Sequence, residues 1–355
     1  MGKLKVGILG YGKMGQVYGD WFKTNPYCEV TAVYNHSMGK REKVSEDIPG
    51  ALFYNDWEEL ISNRELDIIG ITSATYEKFP QICKAISENK HIICEKPICM
   101  DINELNEIKK HIVNTKYNKK FLVASELQLH PVIEAINKLI PGIGKVFHIS
   151  LDYSMYRDEV KWKHRYEAGG GILRELGQHL IDVVNIWLGE PKRVFGYNMI
   201  LNPNRQVEDF STNIIEYMTG AVVCLTTHYY KRSTNTYNGK IYGTNAQIDF
   251  CVSSYDTKDA WVKYYDANGM REIPIVIPEN IDRIYPGHMD TFKREIDNFV
   301  DAVLNAKEIG SRLEDEYRTM QIMCASYESS RTGYPVDLPL NEFSHKKLSE
   351  CFHIF

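Results

Sequence analysis

Residues 4–15 read LKVGILGYGKMG: a short apolar run, then Gly10-Tyr11-Gly12-Lys13-Met14-Gly15, then a helical pattern from about Lys13 to Thr24. A GxGxxG taken alone says little, but between a strand and a helix it constrains the chain strongly. The first glycine of such a turn permits the sharp bend, and the second lets backbone approach a pyrophosphate. The third allows close helix–strand packing, and the phosphates rest on the helix N-terminus. The alternative is a glycine-rich turn with no ligand; the strand–turn–helix context favours the ligand.

The same alternation continues through the first third of the chain. Strand-like Lys3–Leu9 and Glu29–Tyr34 flank the first helix, and helical Trp57–Ser62 precedes strand Leu66–Thr72. Helical Phe79–Asn89 precedes strand His91–Cys94, and helical Asn103–Val113 precedes strand Phe121–Ser125. Short apolar strands separated by helices predict βαβ units and a parallel, doubly wound sheet. After about Ser125 the rhythm changes. Helices are expected over Val132–Leu139 and Gly171–Leu188, with a strand over Lys145–Tyr153 between them. From Arg193 onward come the strand-like runs RVFGYNMI, STNIIEYM, AVVCLTTHYY, NAQIDFCV, AWVKYYD and REIPIVI. Thr219-Gly220, Asn238-Gly239 and Asn268-Gly269 read as turns between antiparallel strands. Helices near Thr291–Asn305 and Leu313–Arg331 close the chain. The expected fold is therefore α/β. A Rossmann parallel sheet over 1–125 precedes an α+β domain over 126–355 with a large, mostly antiparallel sheet and no flexible linker.

A length of 355 residues suits two domains. The 42 basic and 47 acidic residues leave a net charge of −5 with no long run of either sign, which argues against nucleic-acid and membrane-surface partners. No apolar run approaches a membrane span, and the N-terminus shows no secretory cleavage pattern. The eight cysteines have neither CxxC pairs nor zinc spacing. They are expected to be reduced thiols of a cytoplasmic chain, and no metal site is expected.

Two further stretches carry chemistry. In HIICEKPICM, residues 91–100, an apolar strand stops abruptly at Glu95-Lys96-Pro97. A solvated strand end is the ordinary reading of Glu-Lys-Pro. At the carboxyl end of a parallel strand, however, it lies on the edge where open α/β sheets bind ligands. There a lysine can donate to a reacting oxygen. In GGGILRELGQHLIDVVNIWLG, residues 169–189, Leu173, Leu176, Leu180, Val183 and Trp187 follow helical spacing and form the expected buried face. Glu175 and His179 are four apart and share another face, with Asp182 on that side too. A histidine one turn from a carboxylate is a plausible proton acceptor; a satisfied histidine beside a surface acid is the competing reading. Where a Rossmann fold places an acid on the ribose 2′-hydroxyl, this chain has Asn35, followed by His36, Lys40 and Arg41. Asn35 can bond a ribose hydroxyl but repels nothing, whereas the basic residues can neutralise a 2′-phosphate or be an ordinary solvated helix start. NAD and NADP both remain open as cofactor.

Together these elements resemble the glucose–fructose oxidoreductase/inositol dehydrogenase (Gfo/Idh/MocA) family. The resemblance rests on the N-terminal GxGxxG, KHIICEKP at 90–97, AGGGILRELGQHLID at 168–182 and RLEDEYRTMQIMCASYESSRTG at 312–333, in family order along nearly the whole chain. It implies hydride transfer between a nicotinamide and a hydroxyl-bearing or carbonyl carbon of a sugar, polyol or inositol. It also implies assembly into a homodimer or homotetramer through the C-terminal sheet. It assigns Lys96 to the substrate oxygen, His179 to the hydroxyl proton, and Glu175 to catalysis and substrate contact. Glu95 is assigned to the cofactor side, where Gly10, Tyr11, Gly12, Lys13, Met14, Asn35, His36, Ser73 and Lys96 join it.

The chain departs from the family in several places. Glu175 replaces the usual Asp, and Ser73-Ala74-Thr75 stands where the family reads Thr-Pro-Asn, with Lys78 at a histidine position. Gln128 stands where an arginine is usual, so the substrate need not be a familiar one. Lys161, Trp162, Lys163 and Arg165 are alternative substrate contacts, or simply an exposed basic loop. Two other functions suit the same scaffold: a redox-neutral NAD-dependent glycosidase, and a non-catalytic dinucleotide-binding sensor.

Overall fold

The computed structural model describes residues 2–233, 235–309 and 313–355, with the side chain of Trp162 outside the described set. Residue 312 of the closing motif also lies outside it. The chain forms two compact units. The first comprises Met1–Met100, Glu104–Glu126 and Thr291–Leu313; the second comprises Asp101–Asn103, Leu127–Asp290 and Glu314–Phe355.

In the first unit, strands β1 (Leu4–Leu9), β2 (Cys28–Tyr34), β3 (Leu52–Tyr54), β4 (Ile68–Ile71), β5 (His91–Cys94) and β6 (Phe121–Val123) form one sheet in the order β3-β2-β1-β4-β5-β6. Every pairing is parallel. The strand order reverses between β1 and β4, the point at which doubly wound sheets take up ligands. Helices cover both faces of such a sheet, so its central strands are apolar throughout rather than alternating; β4, IIGI, is buried at all four positions. Helices α1 (Lys13–Thr24), α2 (Arg41–Asp47), α3 (Trp57–Ser62), α4 (Thr75–Ser87) and α5 (Ile102–Thr115) connect the strands. The short β3 escapes the sequence pattern because three residues are too few to show a period.

The compact units differ from the expected 1–125 and 126–355 in two segments, of which the short Asp101–Asn103 groups with the second unit. Segment Thr291–Leu313, which carries helix α8 (Thr291–Asn305), returns to the first unit. The reason is burial: Ile296, Phe299 and Val300 join Tyr18, Phe22 and Val33 in one apolar core.

The second unit is built on a ten-stranded sheet in the order β14-β13-β12-β11-β7-β10-β9-β8-β15, with β16 also on β8. Its strands are β7 (Val146–Ser154), β8 (Pro191–Ile200), β9 (Phe210–Tyr217), β10 (Val222–His228), β11 (Thr236–Gly243), β12 (Gln247–Ser253), β13 (Trp261–Asp266), β14 (Gly269–Ile273), β15 (Val336–Asp337) and β16 (His353–Ile354). The β7–β10 and β8–β16 pairs are parallel and the rest antiparallel. Burial alternates along β9 and β10, as in a sheet with one face in the core.

Two expectations change here. Asn238-Gly239 is not a turn; it sits inside β11, between β7 and β12. Gly239 is required by packing, since a Cβ there would lie 2.2 Å from the Phe250 ring and 2.9 Å from Leu151. The run REIPIVI forms a strand only to Ile273, because Pro274 has no N–H to continue the ladder and Val276 is exposed.

Helix α6 (Pro131–Leu139) precedes the sheet. The GGG segment opens into a π-helical turn, Leu173–Gly177, followed by α7 (Gln178–Leu188). Buried Glu208 holds this opening. Its Oε1 accepts from Leu173 N at 3.2 Å and from the Tyr327 hydroxyl at 2.8 Å, and its carbonyl accepts from Ile172 N. Gly171 lies so close that a Cβ would stand 2.3 Å from the carboxylate. Burial pushes the Glu208 carboxyl up to about 7, against the opposing pulls of the Tyr327 hydroxyl and the Arg174 guanidinium. α7 does not expose a polar face as its pattern suggests; Gln178, Asp182 and Asn185 are all buried against α9 (Leu313–Thr332). Gln178 donates to Glu316 at 2.8 Å, the Thr319 hydroxyl donates to Asp182 at 2.5 Å, and Asn185 donates to Thr319 at 3.0 Å.

Two outcomes follow from this packing. Gly239→Ala should destabilise the protein by about 1–3 kcal/mol through overpacking against Phe250, measured by urea unfolding. Native-like stability would show that the β11–β12 seam relaxes freely. For Glu208, the folded pKa of about 7 lies above the unfolded value, so folding takes up a proton between the two. Stability is then fully present below the unfolded carboxyl pKa and is lost as pH rises through 7. Glu208→Gln should be close to wild type in unfolding free energy near pH ~4 and more stable by roughly 1–3 kcal/mol at pH ~8. An identical difference at both pH values would mean that Glu208 ionises normally in the fold.

Candidate active site

In the first unit the carboxyl ends of β1, β4 and β5 lie side by side, and three loops leave them. Gly10 takes a positive φ of 86°, and a Cβ there would lie 2.9 Å from the backbone of Ser73, so the loops after β1 and β4 touch. Gly15 carries α1 against the turn: a Cβ would stand 2.1 Å from the Gly10 carbonyl oxygen. Gly12 is the opposite case, exposed and with nothing within 4 Å of a would-be Cβ. It caps α1 without any side-chain hydrogen bond, so the first N–H groups of that helix remain for an anion.

Two buried polar atoms border this cradle. Ser73 Oγ, after β4, and Glu95 Oε1, after β5, have no hydrogen-bond partner within the protein. Buried polar atoms without partners are rare and call for an explanation. An extended dinucleotide, with phosphates at the Gly12 turn and polar groups reaching the β4 and β5 loops, fits the residues present. Burial pushes the Glu95 carboxyl up, opposed by the nearby Lys78 and Lys96 ammonium groups.

The structure sorts the other residues expected at the cofactor. Tyr11 turns its ring into the core, where its hydroxyl donates to Asp47 at 3.1 Å. Asn35 is buried just past β2; its Oδ1 accepts from Tyr11 N at 2.9 Å and its Nδ2 donates to Ser37 O at 3.4 Å. It thus ties the ends of β1 and β2 together. Lys13, His36 and Arg41 are exposed, and Met14 and Lys40 are half-buried.

One residue of this unit carries more than its sequence suggests. Lys78, on α4, is buried, and its ammonium donates to the carbonyls of Glu95 at 2.7 Å, Lys96 at 3.3 Å and Pro97 at 2.9 Å. The Lys96–Pro97 peptide bond is cis. The sequence signalled Lys78 only as a departure from the family histidine.

In the second unit, Glu175 lies on the π turn and does not stand alone. Its Oε1 receives the Arg157 guanidinium at 2.5 Å and the Lys163 ammonium, and its Oε2 receives the Tyr229 hydroxyl. Burial pushes this carboxyl up, but Lys163 and Arg157 outweigh it and hold the group well below the usual carboxylate range. The Arg157 and Arg205 guanidinium groups lie 5.2 and 4.7 Å from the centre of the Tyr229 ring. His179, at the start of α7, is nearly buried and meets the Tyr237 ring edge-on at 6.0 Å. Asp182, expected beside His179, accepts from Thr319 and belongs to the α7–α9 contact. Gln128 sits half-buried on the short turn after β6, Lys161 pairs with Glu159, and Arg165 is exposed. The proposed stacking role of Trp162 falls on a side chain outside the described residues.

No His, Cys, Asp or Glu group among the described residues is arranged to hold a metal ion. No described helix is long and apolar enough to cross a membrane.

Two family models match the chain. One, described as "Oxidoreductase family, NAD-binding Rossmann fold", covers residues 4–123, and the other, "Oxidoreductase family, C-terminal alpha/beta domain", covers residues 137–338. The scyllo-inositol 2-dehydrogenase (NADP(+)) IolW of Bacillus subtilis is 26% identical over 229 residues, so the match spans only 60% of that relative and 60% of this chain. The D-xylose 1-dehydrogenase (NADP(+)) 2 of Haloferax volcanii is 20% identical over 87% of this chain and 92% of its own. Among solved structures, levoglucosan dehydrogenase in complex with NADH and levoglucosan superposes with a TM-score of 0.85 at 19% identity, over 95% of this chain and 100% of that one. An Agrobacterium radiobacter oxidoreductase in complex with NAD+, L-tartaric acid and magnesium gives 0.82 at 18% identity, over 94% and 98%. The nucleotide cradle, the Glu95-Lys96-Pro97 turn and the Gly169–Asp182 segment thus stand in a chain that belongs to the Gfo/Idh/MocA oxidoreductases, with a Rossmann domain for NAD or NADP.

Proposed function

We propose that the protein is an NAD(P)-dependent dehydrogenase or reductase acting at a hydroxyl or carbonyl carbon of a sugar, a polyol such as an inositol, or a sugar derivative. The observation that carries this is Lys96, held by its turn at the carboxyl end of β5, two strands from the uncapped N-terminus of α1. The inositol, xylose and levoglucosan dehydrogenases named above support the substrate class.

The nicotinamide, when bound, takes up or supplies the hydride. Lys96 donates a hydrogen bond to the substrate oxygen and stabilises negative charge that gathers there. His179 takes the hydroxyl proton as the carbonyl forms and returns it in reduction. Glu175 acts differently from a free acceptor of a substrate hydroxyl: with both oxygens already engaged, it fixes Arg157, Lys163 and Tyr229 in place. Gln128 and Trp162 are assigned to substrate contact on the strength of the sequence. The face of the large sheet bearing exposed Phe195, Tyr197 and Ile214 is the surface for pairing copies into a homodimer or homotetramer.

The test is nicotinamide absorbance with inositols, aldoses, uronates and nucleotide sugars, each with NAD and NADP, for wild type and Lys96→Met. Turnover in one class, reduced at least ~10²-fold in the variant with dinucleotide affinity nearly intact, is the expected result. Loss of both in parallel contradicts the role of Lys96. Silence of the wild type with dinucleotide still bound favours a redox-neutral glycosidase or a sensor instead. Asn35→Asp keeps the acceptor for Tyr11 N and adds a charge that repels a 2′-phosphate, so the ratio of Kd values should move towards NAD. An unchanged ratio removes Asn35 from the ribose site.

A further inference from the structure

Lys78 is a buried charge that the proposed chemistry does not use. Among the described basic residues, it is one of the few whose side chain is removed from water, being 2% exposed. Burying an ammonium is costly unless its donors are satisfied. Here they reach three consecutive carbonyls, those of Glu95, Lys96 and Pro97, at 2.7, 3.3 and 2.9 Å. Such a contact is specific to one backbone shape, because three acceptors must converge on one nitrogen. The carbonyls flank the residue whose side chain is proposed to meet the substrate. Lys78 starts from α4, which follows β4, and reaches across to the loop after β5. The same ammonium acts on the buried Glu95 carboxyl, favouring its charged form.

We propose that Lys78 is a positioning residue for Lys96: it clamps the backbone of the Glu95–Pro97 turn and so fixes where the Lys96 side chain leaves the sheet edge. A histidine, the residue the family usually has here, carries at most two ring donors and cannot bind three carbonyls at once. This chain therefore fastens its turn by a cation rather than by a single ring nitrogen. The assignment rests on Lys96 as the residue that meets the substrate oxygen, and the experiment separates the two.

Lys78→Met, Lys78→Arg and Lys96→Met are compared with wild type by hydrogen exchange and by kinetics. In Lys78→Met, amides of the segment following β5 should exchange at least ~10-fold faster while those of α1 and β1 stay within about twofold. Unchanged exchange there overturns the proposal whatever the kinetics show. With scyllo-inositol, D-xylose or levoglucosan, whichever the wild type turns over, Lys78→Met should lower kcat at least ~10-fold with the KM for dinucleotide within about threefold. Lys78→Arg, which keeps the charge and several donors, should recover part of kcat. A kcat within twofold of wild type overturns the clamp. A parallel fall of kcat, dinucleotide affinity and melting temperature reduces Lys78 to a general stabilising residue and overturns it as well. If Lys78→Met does not fold, Lys78→Arg decides by the same exchange and kcat criteria against Lys78→Gln. If Lys96→Met keeps turnover, the underlying reading fails. If Lys96→Met is silent while Lys78→Met is active, only the clamp fails.

Discussion

The nucleotide-binding unit depends on one close approach, the seating of α1 on the Gly10 turn. There is no room for a Cβ at Gly15, where it would stand 2.1 Å from a carbonyl oxygen. That contact brings the N-terminus of α1 to the end of β1, and the positive φ of Gly10 brings the β1 and β4 loops into touch. An uncapped helix N-terminus carries partial positive charge and free N–H donors, which is what a pyrophosphate requires. The buried, partnerless Ser73 Oγ and Glu95 Oε1 extend that demand across β4 and β5.

Buried charge is handled in three ways. Glu208 carries a raised pKa because burial outweighs its partners, and it organises the start of the GGG helix. Glu175 is held ionised because two cations outweigh its burial. Lys78 sets its ammonium against three backbone carbonyls. In each case the group holds an irregular stretch of chain that no helix or strand ladder would fix, and these stretches carry the residues assigned to chemistry. Strain and buried charge concentrate at such places because regular hydrogen bonding does not extend to them.

The sequence is most misleading where one residue type serves two purposes. Asn238-Gly239 has the composition of a hairpin turn, yet Gly239 is selected by the Phe250 ring across the ladder. Asp182 shares a face with His179, and nothing in its spacing shows that it also accepts from Thr319, which is distant in the chain. Tyr11 lies inside the phosphate-binding motif, yet its ring is core. Local spacing shows which residues share a face of an element; what stands opposite that face is decided by chain far away.

By itself the sequence determined the order of the longer elements, the parallel sheet with its nucleotide turn, the mostly antiparallel character of the second sheet, and the family. These follow from apolar period, glycine placement and short-range motifs, all of which act within a few residues. Only the tertiary structure decided that the helix over Thr291–Asn305 rejoins the first unit, that α7 is buried on its polar side, and that Glu175 is already engaged. It alone brought Lys78 to the turn after β5. Each of these is a contact between separate elements of the chain, and a buried polar group finds its partner only when the sheet and its loops have closed around it.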